Sequence, residues 1–126
     1  MLKILLVDEE PSLRQLLAKL LEGSTGAQVR VAESGREAVE VLKNDPFFDV
    51  VVSELEMVDF SGLELLRMVR SNWPRVSFAL WTDSENVDRA KLGGATFLGV
   101  FPKASLFDLV SQIGRVSPAR REDLLM

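Results

Sequence analysis

Acidic side chains directly follow two short apolar runs of this 126-residue chain. Of five such runs along the chain, the first is followed by Asp8, Glu9 and Glu10. The third is followed by Glu54 and, two positions further on, by Glu56. Crowded carboxylates repel one another unless one keeps a proton or a cation lies among them. Because magnesium prefers hard oxygen ligands and keeps several waters, this group predicts a weakly held magnesium ion as cofactor.

A hydroxyl and an ammonium group follow two further apolar runs. Thr82 and Asp83 follow the fourth run, and Pro102 and Lys103 follow the fifth. Lysine and threonine can bind an anion such as a phosphoryl group, and with acids and a metal they form the set used in phosphoryl transfer. Taken alone, each residue is better explained as an ordinary polar loop residue. Because such residues follow four of the five apolar runs, the group as a whole is better explained as a functional site.

The composition excludes several kinds of chemistry. The chain has no cysteine and no histidine, which rules out disulfides, Cys/His zinc sites, thiol nucleophiles, Ser–His catalysis and histidine phosphotransfer on this chain. Its 19 acidic and 15 basic residues give a net charge of −4, which argues against nucleic-acid and anionic membrane partners. The N-terminal apolar run is too short to span a bilayer and lacks a small-residue cleavage site.

Five short apolar runs predict β-strands. The first and third runs are continuous, as expected of strands that are covered on both faces, and the second alternates as an edge strand does. The predicted strands are Leu2–Val7, Gln28–Ala32, Val50–Ser53, Val76–Trp81 and Thr96–Phe101.

Amphipathic stretches with helix signals separate these runs. After Pro11, apolar residues recur with helical spacing at Leu13, Leu16, Leu17, Leu20 and Leu21. Capping boxes precede the second and third helices at Ser34-x-x-Glu37 and Ser61-x-x-Glu64, and a weaker box, Ser105-x-x-Asp108, precedes the fifth. The fourth helix, from Ser84 to Leu92, is the least apolar and ends at a Gly-Gly pair.

The strict alternation of strands and helices predicts an α/β fold, with a parallel sheet between two layers of helices. Five such units in about 116 residues fit an open, doubly wound sheet and do not fit a closed eightfold barrel. We therefore predict one domain over residues 1–116, followed by a tail or linker stub at 117–126. Ligands of such sheets bind beyond the carboxyl ends of the strands, where the polar residues described above collect.

Six segments carry a family resemblance. They are Leu5 to Ser12, Asp49 to Glu54, Ser61 to Leu66, Thr82, Gly94-Ala95 and Pro102-Lys103. Together they resemble the receiver domain of bacterial two-component response regulators, over about residues 2–116. The resemblance implies a flavodoxin-like, five-stranded sheet of order 2-1-3-4-5. It also implies a cytoplasmic switch in a phosphorelay, whose partner is a sensor histidine kinase or another signalling protein.

The resemblance also assigns roles to single residues. Asp8 and Glu9 correspond to the acidic pair that holds magnesium, and Glu56 to the residue that offers its backbone carbonyl to the metal. Thr82 corresponds to the switch hydroxyl, and Lys103 to the lysine that pairs with the phosphoryl group.

The sequence departs from the family pattern at three places. Glu54 stands at the position of the phosphorylated aspartate. Asp83 adds a carboxylate after the switch hydroxyl, where the family usually has a small residue. The stretch from Gly94 to Lys103 is two residues longer than usual, and Gly99 within it predicts a β-bulge that absorbs the extra length.

Glu54 predicts a receiver whose phosphorylation is weak or absent. Its extra methylene moves the carboxylate by up to about 1.5 Å, and a misplacement of about 1 Å can cost roughly a hundredfold in rate. In the alternative interpretation, the longer side chain carries its charge towards Thr82 and Lys103 and partly imitates the phosphorylated state. A partly buried Glu54–Lys103 ion pair is the expected contact.

Two other functions stay open. A phosphorylation-independent protein-interaction module would differ from a degenerate receiver mainly in its metal affinity. A small magnesium-dependent phosphatase would use Asp8 together with Glu10, which could also replace either Asp8 or Glu9 as a metal ligand. The weakness of the motif disfavours a phosphatase, and we predict that the chain is not an enzyme. A partner surface is expected around the fourth helix, fifth strand and fifth helix, for an output domain or a second copy of the chain.

Overall fold

Strands and helices alternate along the chain in this computed structural model, which describes residues 1–118. The five strands are β1 (Lys3–Val7), β2 (Gln28–Ala32), β3 (Val50–Ser53), β4 (Ser77–Trp81) and β5 (Phe97–Phe101). The four α-helices are α1 (Pro11–Thr25), α2 (Gly35–Asn44), α3 (Gly62–Asn72) and α4 (Leu106–Gly114). Within the described residues, no helix combines the length and the apolar character needed to cross a membrane.

All five strands pair in parallel within one sheet of order β2-β1-β3-β4-β5. The predicted flavodoxin-like, doubly wound α/β fold is therefore confirmed, and every strand bound lies within one residue of its predicted position. The division into a domain over 1–116 and a tail stays a prediction, and residues 119–126 of that tail lie outside the described part of the chain.

The sheet has a hydrophobic core on each of its faces. Leu5 and Val7 of β1 point to the face that is covered by α2 and α3. Ile4 and Leu6 point to the opposite face, which α1 and α4 cover and where Trp81 is fully buried. Because successive side chains of a strand point to opposite faces, a strand in the middle of this sheet presents apolar residues to both cores.

Local hydrogen bonds fix where the first three helices begin. The Glu10 carboxylate accepts a hydrogen bond from the Ser12 backbone N–H and caps α1. The Ser34 side chain accepts from the third residue of α2. Ser61 and Glu64 form both hydrogen bonds of the predicted capping box at the start of α3. Each of these caps satisfies backbone N–H groups that have no partner inside their helix.

Two helix predictions are wrong. The predicted helix from Ser84 to Leu92 is replaced by a three-residue 3₁₀-helix, Arg89–Lys91, which begins where the Asp88 carboxylate accepts from the Ala90 N–H. None of these three residues is buried, so the stretch lacks the apolar face that stabilises most helices in proteins. The weaker box before α4 does not form, since Ser105 makes no side-chain capping bond.

Side chains from the neighbouring α3 region tether the connection between β4 and β5. Arg70 of α3 donates hydrogen bonds to the backbone carbonyls of Lys91 and Gly93. The Glu56 carboxylate accepts hydrogen bonds from Ser84 at 2.9 Å and from Asn86 at 3.0 Å. Polar contacts to α3 and to the turn before it therefore hold this segment where a helix was expected.

A β-bulge interrupts β5, as predicted. Phe97 pairs with Phe78, but the next residue of β4, Ala79, pairs with Gly99, so that Leu98 is the extra residue. Gly99 has a φ of 136°. Only glycine adopts this region freely, which explains why the extra length is absorbed at this position.

The buried face of α1 is rotated from the predicted one. It consists of Arg14, Leu17, Ala18 and Leu21. The predicted Leu16 is 45% exposed. The helix therefore buries an arginine in place of one of its leucines, and Arg14 lies next to the polar end of β1.

Candidate functional site

Four strands deliver their predicted site residues to one edge of the sheet. Asp8 follows β1 and Glu54 follows β3, whereas Thr82 follows β4 and Lys103 lies two positions beyond β5. Backbone hydrogen bonds continue past these ends. The Glu54 N–H donates to the last residue of β1 at 3.0 Å, and the Thr82 N–H donates to the last residue of β5 at 2.9 Å. The sheet ladder itself therefore sets the spacing of these residues.

The Lys103 ammonium lies between two carboxylates and an aromatic ring. It donates a hydrogen bond to Asp8 in a direct ion pair, and Glu54 Oε1 lies 3.6 Å from Nζ. The same Nζ lies 3.9 Å from the centroid of the Trp81 ring. The predicted Glu54–Lys103 ion pair is therefore present, but the direct hydrogen bond of Lys103 goes to Asp8.

The backbone of Lys103 is held on both sides. Its N–H donates to the Asp83 carboxylate at 2.9 Å. Its carbonyl accepts from the Trp81 indole Nε1 at 3.3 Å. Asp83, which the sequence suggested as an extra charge beside an anion site, instead positions the segment that carries the lysine.

Asp8 is the most deeply buried carboxylate of the site, with 2% of its surface exposed. One of its oxygens accepts from the Glu10 N–H at 2.9 Å, and the other accepts from Lys103. The buried Arg14 side chain donates to the Asp8 backbone carbonyl at 2.8 Å and lies 3.7 Å from Glu33. Arg14 is a residue that the sequence prediction did not include, although its spacing to Leu17, three residues later, is that of one helix face.

Glu54 is held by its own turn. Its carboxylate accepts a hydrogen bond from the Leu55 N–H as well as lying close to Lys103. The backbone carbonyl of Glu54 accepts from the Ser53 hydroxyl at 2.8 Å. A Cβ atom at Gly62 would lie 2.2 Å from that carbonyl oxygen, so the close approach of α3 to this turn requires glycine.

Thr82 is buried, with 4% of its surface exposed. Its hydroxyl oxygen accepts a hydrogen bond from the Ser84 N–H at 3.1 Å. A cavity of about 300 Å³ adjoins it, lined also by Arg89, Val100 and Pro102 among others. The structure thus places Thr82 at the predicted edge, with its hydroxyl engaged by the connection to β5.

The remaining predicted metal residues point elsewhere. The Glu9 carboxylate accepts a hydrogen bond from the Val58 N–H. Hydrogen bonds from Asn86, which has the larger effect, and from Ser84 lower the pKa of the exposed Glu56 carboxyl group. The role predicted for Glu56 concerns its backbone carbonyl and stays a prediction.

The partners of the carboxylate oxygens decide whether these residues are ready to bind magnesium. Among residues 1–118, no three acidic side chains converge closely enough to hold a metal ion. Asp8 is paired with Lys103, and Glu9 is bonded to a backbone N–H. In this arrangement both oxygens of Asp8 are already engaged, so the site offers a magnesium ion no prepared set of side-chain ligands.

The family comparison decides where this site belongs. Residues 4–105 match the family model described as the response regulator receiver domain. The chain belongs to the response regulator receiver family. Receivers of this family act in two-component signalling, so the family and the fold that the sequence resemblance implied are confirmed.

Two curated relatives come from Pseudomonas aeruginosa. The response regulator protein PilR is 34% identical over 100 residues, which cover 76% of this chain and 22% of PilR. The response regulator protein FleR is 33% identical over 96% of this chain and 26% of its own length. The receiver chain thus spans about a quarter of the length of these relatives.

A solved structure gives the same architecture. The response regulator protein TrrA from Thermotoga maritima, crystallised in complex with Mg(2+)-BeF, is 29% identical with a TM-score of 0.76. The match covers 90% of this receiver and 96% of that chain.

Proposed function

We propose that this receiver carries Glu54 at the phosphoacceptor position and that it signals with weak or no phosphotransfer. The observation that carries the proposal is the state of the Glu54 carboxylate at the end of β3. One oxygen accepts a hydrogen bond from the Leu55 N–H, and the other lies 3.6 Å from Lys103 Nζ. A nucleophile held by a hydrogen bond and an ion pair has to break those contacts before it can attack a phosphoryl group in line.

The length of the side chain adds a positional cost. A methylene shifts the carboxylate by up to about 1.5 Å relative to aspartate, and a misplacement of about 1 Å can cost roughly a hundredfold in rate. Glutamate is no weaker as a nucleophile, so the objection concerns geometry alone. The tight contact between the Glu54 carbonyl and Gly62 limits how far this turn can shift to compensate.

Glu54 also imitates the phosphorylated state incompletely. A carboxylate carries one charge, whereas a phosphoryl group adds about −1.5 to −2 and three acceptor oxygens. Driving a two-state switch from 1:99 to 99:1 takes about 5.5 kcal/mol. The Glu54–Lys103 pair is a 3.6 Å contact between side chains that are only 19% and 12% exposed, and the cost of removing such charges from water offsets much of their attraction. Glu54 alone therefore biases this receiver without locking it in an active state.

The receiver then works through its protein contacts. Its partners are a sensor histidine kinase or another signalling protein, with an output domain or a second copy as the downstream contact. We place it in the cytoplasm and assign it no enzymatic activity of its own. Asp8 and Glu9 stay the predicted side-chain ligands of a weakly bound magnesium ion, and Glu56 stays its predicted carbonyl ligand. Their contacts with Lys103 and with the Val58 N–H would have to change for the ion to bind.

Phosphorylation from acetyl phosphate with magnesium tests the proposal. The chain and two matched variants, Glu54→Asp and Glu54→Gln, are compared by intact mass and by hydroxylamine sensitivity of the label. We expect no stable label on the chain itself or on Glu54→Gln, and a label on Glu54→Asp, because only aspartate has the shorter side chain. A hydroxylamine-sensitive phosphoryl group on Glu54 of the unaltered chain would show the proposal to be wrong.

A phosphorylation-independent interaction module is the second candidate. It is favoured by the same Glu54 contacts, and it predicts that Glu54→Asp is not labelled either. The phosphatase alternative has less support, because Glu10, its required second carboxylate, caps α1 through the Ser12 N–H.

A further inference from the structure

An apolar groove lies at the opposite edge of the sheet from Glu54, beside the starts of β3 and β4. It consists of two open cavities, of about 190 and 290 Å³, that share Asn72 and Trp73 as lining residues. We propose that this amino-edge groove is a docking site for a short acidic segment of a partner protein, which inserts one apolar side chain into each cavity. The inference concerns a surface away from Glu54 and does not rest on the proposed function.

Apolar side chains line both cavities. Val39 and Trp73 are half-buried and pack against the core on the face covered by α2 and α3. Met68, which lines the larger cavity with Val39, is 41% exposed. An enclosed cavity of about 150 Å³ holds a benzene molecule, so each of these cavities has room for one apolar side chain. Tryptophan and methionine are also enriched at protein interfaces, which favours a protein as the occupant.

The backbone around Trp73 is already fixed without a partner. The Trp73 N–H donates to the Val69 carbonyl at 2.7 Å, and the Trp73 carbonyl accepts from the Val76 N–H at 3.0 Å. Two prolines, Pro46 and Pro74, line the smaller cavity, and a proline ring restricts the backbone to one φ region. A surface that is ordered in advance loses less conformational entropy when it binds. The groove is therefore prepared for a ligand.

The charge of the groove indicates the chemistry of the partner. Among the described residues that line it, the charged ones are Lys43 and Arg75, so the groove is positive in a chain whose net charge is −4. Lys43 lies 3.9 Å from Glu40, and both side chains are exposed, so this pair holds the lysine weakly. Within residues 1–118, the Arg75 side chain has no hydrogen-bond or ion-pair partner. Carboxylates of an acidic segment would complement both cations.

Helix geometry accounts for only one of these cations. Lys43 lies in the last turn of α2, where the helix dipole favours positive charge. Arg75 lies three residues beyond the end of α3, outside the turn over which that effect acts. Asp45, the acid next to Pro46 in the chain, is already paired with Lys3. The arginine therefore points to an external carboxylate, which it can bind through two parallel hydrogen bonds.

An NMR titration with synthetic peptides tests this inference. The probes are short peptides that carry two leucines at different spacings, flanked by glutamates, and matched peptides in which every glutamate is replaced by glutamine. The chain has two tryptophans, so an isotope-labelled receiver gives two indole N–H signals, which Trp73→Phe assigns. Trp81 is fully buried under the opposite face of the sheet and is the internal control.

We expect at least one glutamate peptide to shift the Trp73 signal saturably while the Trp81 signal stays in place. The matched glutamine peptide should bind at least about fivefold more weakly, and Arg75→Glu and Lys43→Glu should each weaken the glutamate peptide by about tenfold. The control Lys19→Glu makes the same change of net charge at an exposed position of α1, across the sheet. It should leave the affinity within about twofold.

Several results would overturn the inference. One is the absence of a saturable Trp73 shift with every glutamate peptide at up to about 1 mM, the affinity of a weak contact. Others are equal binding of the glutamine peptide and an equal loss in Lys19→Glu. A Trp73 shift that follows the receiver concentration without any peptide would assign the groove to a second copy of the chain and would also overturn it.

The comparison of glutamate and glutamine peptides needs no variant, so it decides the matter even if a charge reversal unfolds the chain. Failure of this inference is distinct from failure of the proposed function. The labelling experiment counts phosphoryl groups on Glu54, whereas the titration reports on Trp73 at the other edge of the sheet.

Discussion

Two lysines of this receiver make the same kind of contact at opposite edges of one sheet. Lys3, at the start of β1, pairs with Asp45, and its Nζ lies 4.8 Å from the Phe48 ring centroid. Lys103, beyond the end of β5, pairs with Asp8 and lies over Trp81. In both cases an ammonium group pairs directly with one carboxylate and lies over one aromatic face.

The two sites differ in burial and in the number of carboxylates. The paired side chains Lys3 and Asp45 are 24% and 28% exposed, whereas those of Lys103 and Asp8 are 12% and 3% exposed. The second site also contains Glu54 at 3.6 Å. Lys3 therefore balances one charge near water, while Lys103 must serve two carboxylates away from it. A lysine–aspartate pair therefore stabilises the fold at one edge of the sheet and balances the negative charge of the candidate site at the other.

Removing the buried lysine should have the largest effect. Lys103→Met leaves Asp8 buried without its counter-ion, and we expect the free energy of unfolding to fall by about 3 kcal/mol. Urea denaturation at neutral pH measures this change. A loss below about 1 kcal/mol, the usual size for an exposed pair, would show that burial does not distinguish the two sites.

The matched change at the other edge should cost less. Lys3→Met removes a pair that is exposed to water and a ring contact at 4.8 Å, so we expect a loss of at most about 1 kcal/mol. The same denaturation experiment applies, with Lys43→Met as the control because Lys43 lies 3.9 Å from Glu40 on the surface of α2. A loss as large as that of Lys103→Met would make the two sites equivalent.

The smallest effect concerns the acid limb of the stability curve. The hydrogen bond from Lys3 lowers the pKa of Asp45, against a smaller opposing effect of burial. A carboxylate whose pKa is lower in the folded state contributes stability above its unfolded pKa of about 3.9, and this contribution is lost as the pH falls through the folded value. Asp45→Asn should thus be less stable than the receiver at pH 6 by under about 1 kcal/mol.

The pH dependence of that difference is the decisive readout. The stability curves of Asp45→Asn and the unaltered receiver should converge as the pH falls below the folded pKa of Asp45. Curves that stay parallel from neutral to acidic pH would mean that the Lys3–Asp45 pair contributes no linkage to folding.

The strands were predictable because their signal is local. Short continuous apolar runs such as Val50–Ser53 are expected of strands that are covered on both faces, and the observed bounds agree within one residue. The conformation of residues 84–92 could not be predicted from the helix signals in their sequence. A helix there would need an apolar face, and hydrogen bonds to Arg70 and Glu56 hold the segment in another conformation. The burial of Arg14 in place of Leu16 was not predicted for a related reason, because the packing of α1 decides which of its sides is buried.

The sequence alone determined which chemical groups this receiver brings to the carboxyl ends of its strands, since the strand ends follow from local patterns and the strand order from the family resemblance. It also determined that Glu54 and Lys103 could meet. Only the tertiary structure decided that the direct hydrogen bond of Lys103 goes to Asp8, and that Asp83 and Trp81 hold the lysine there. The reason is physical: partners more than 90 positions apart in the chain are selected by distances and burial that exist only after the sheet and its helices have packed.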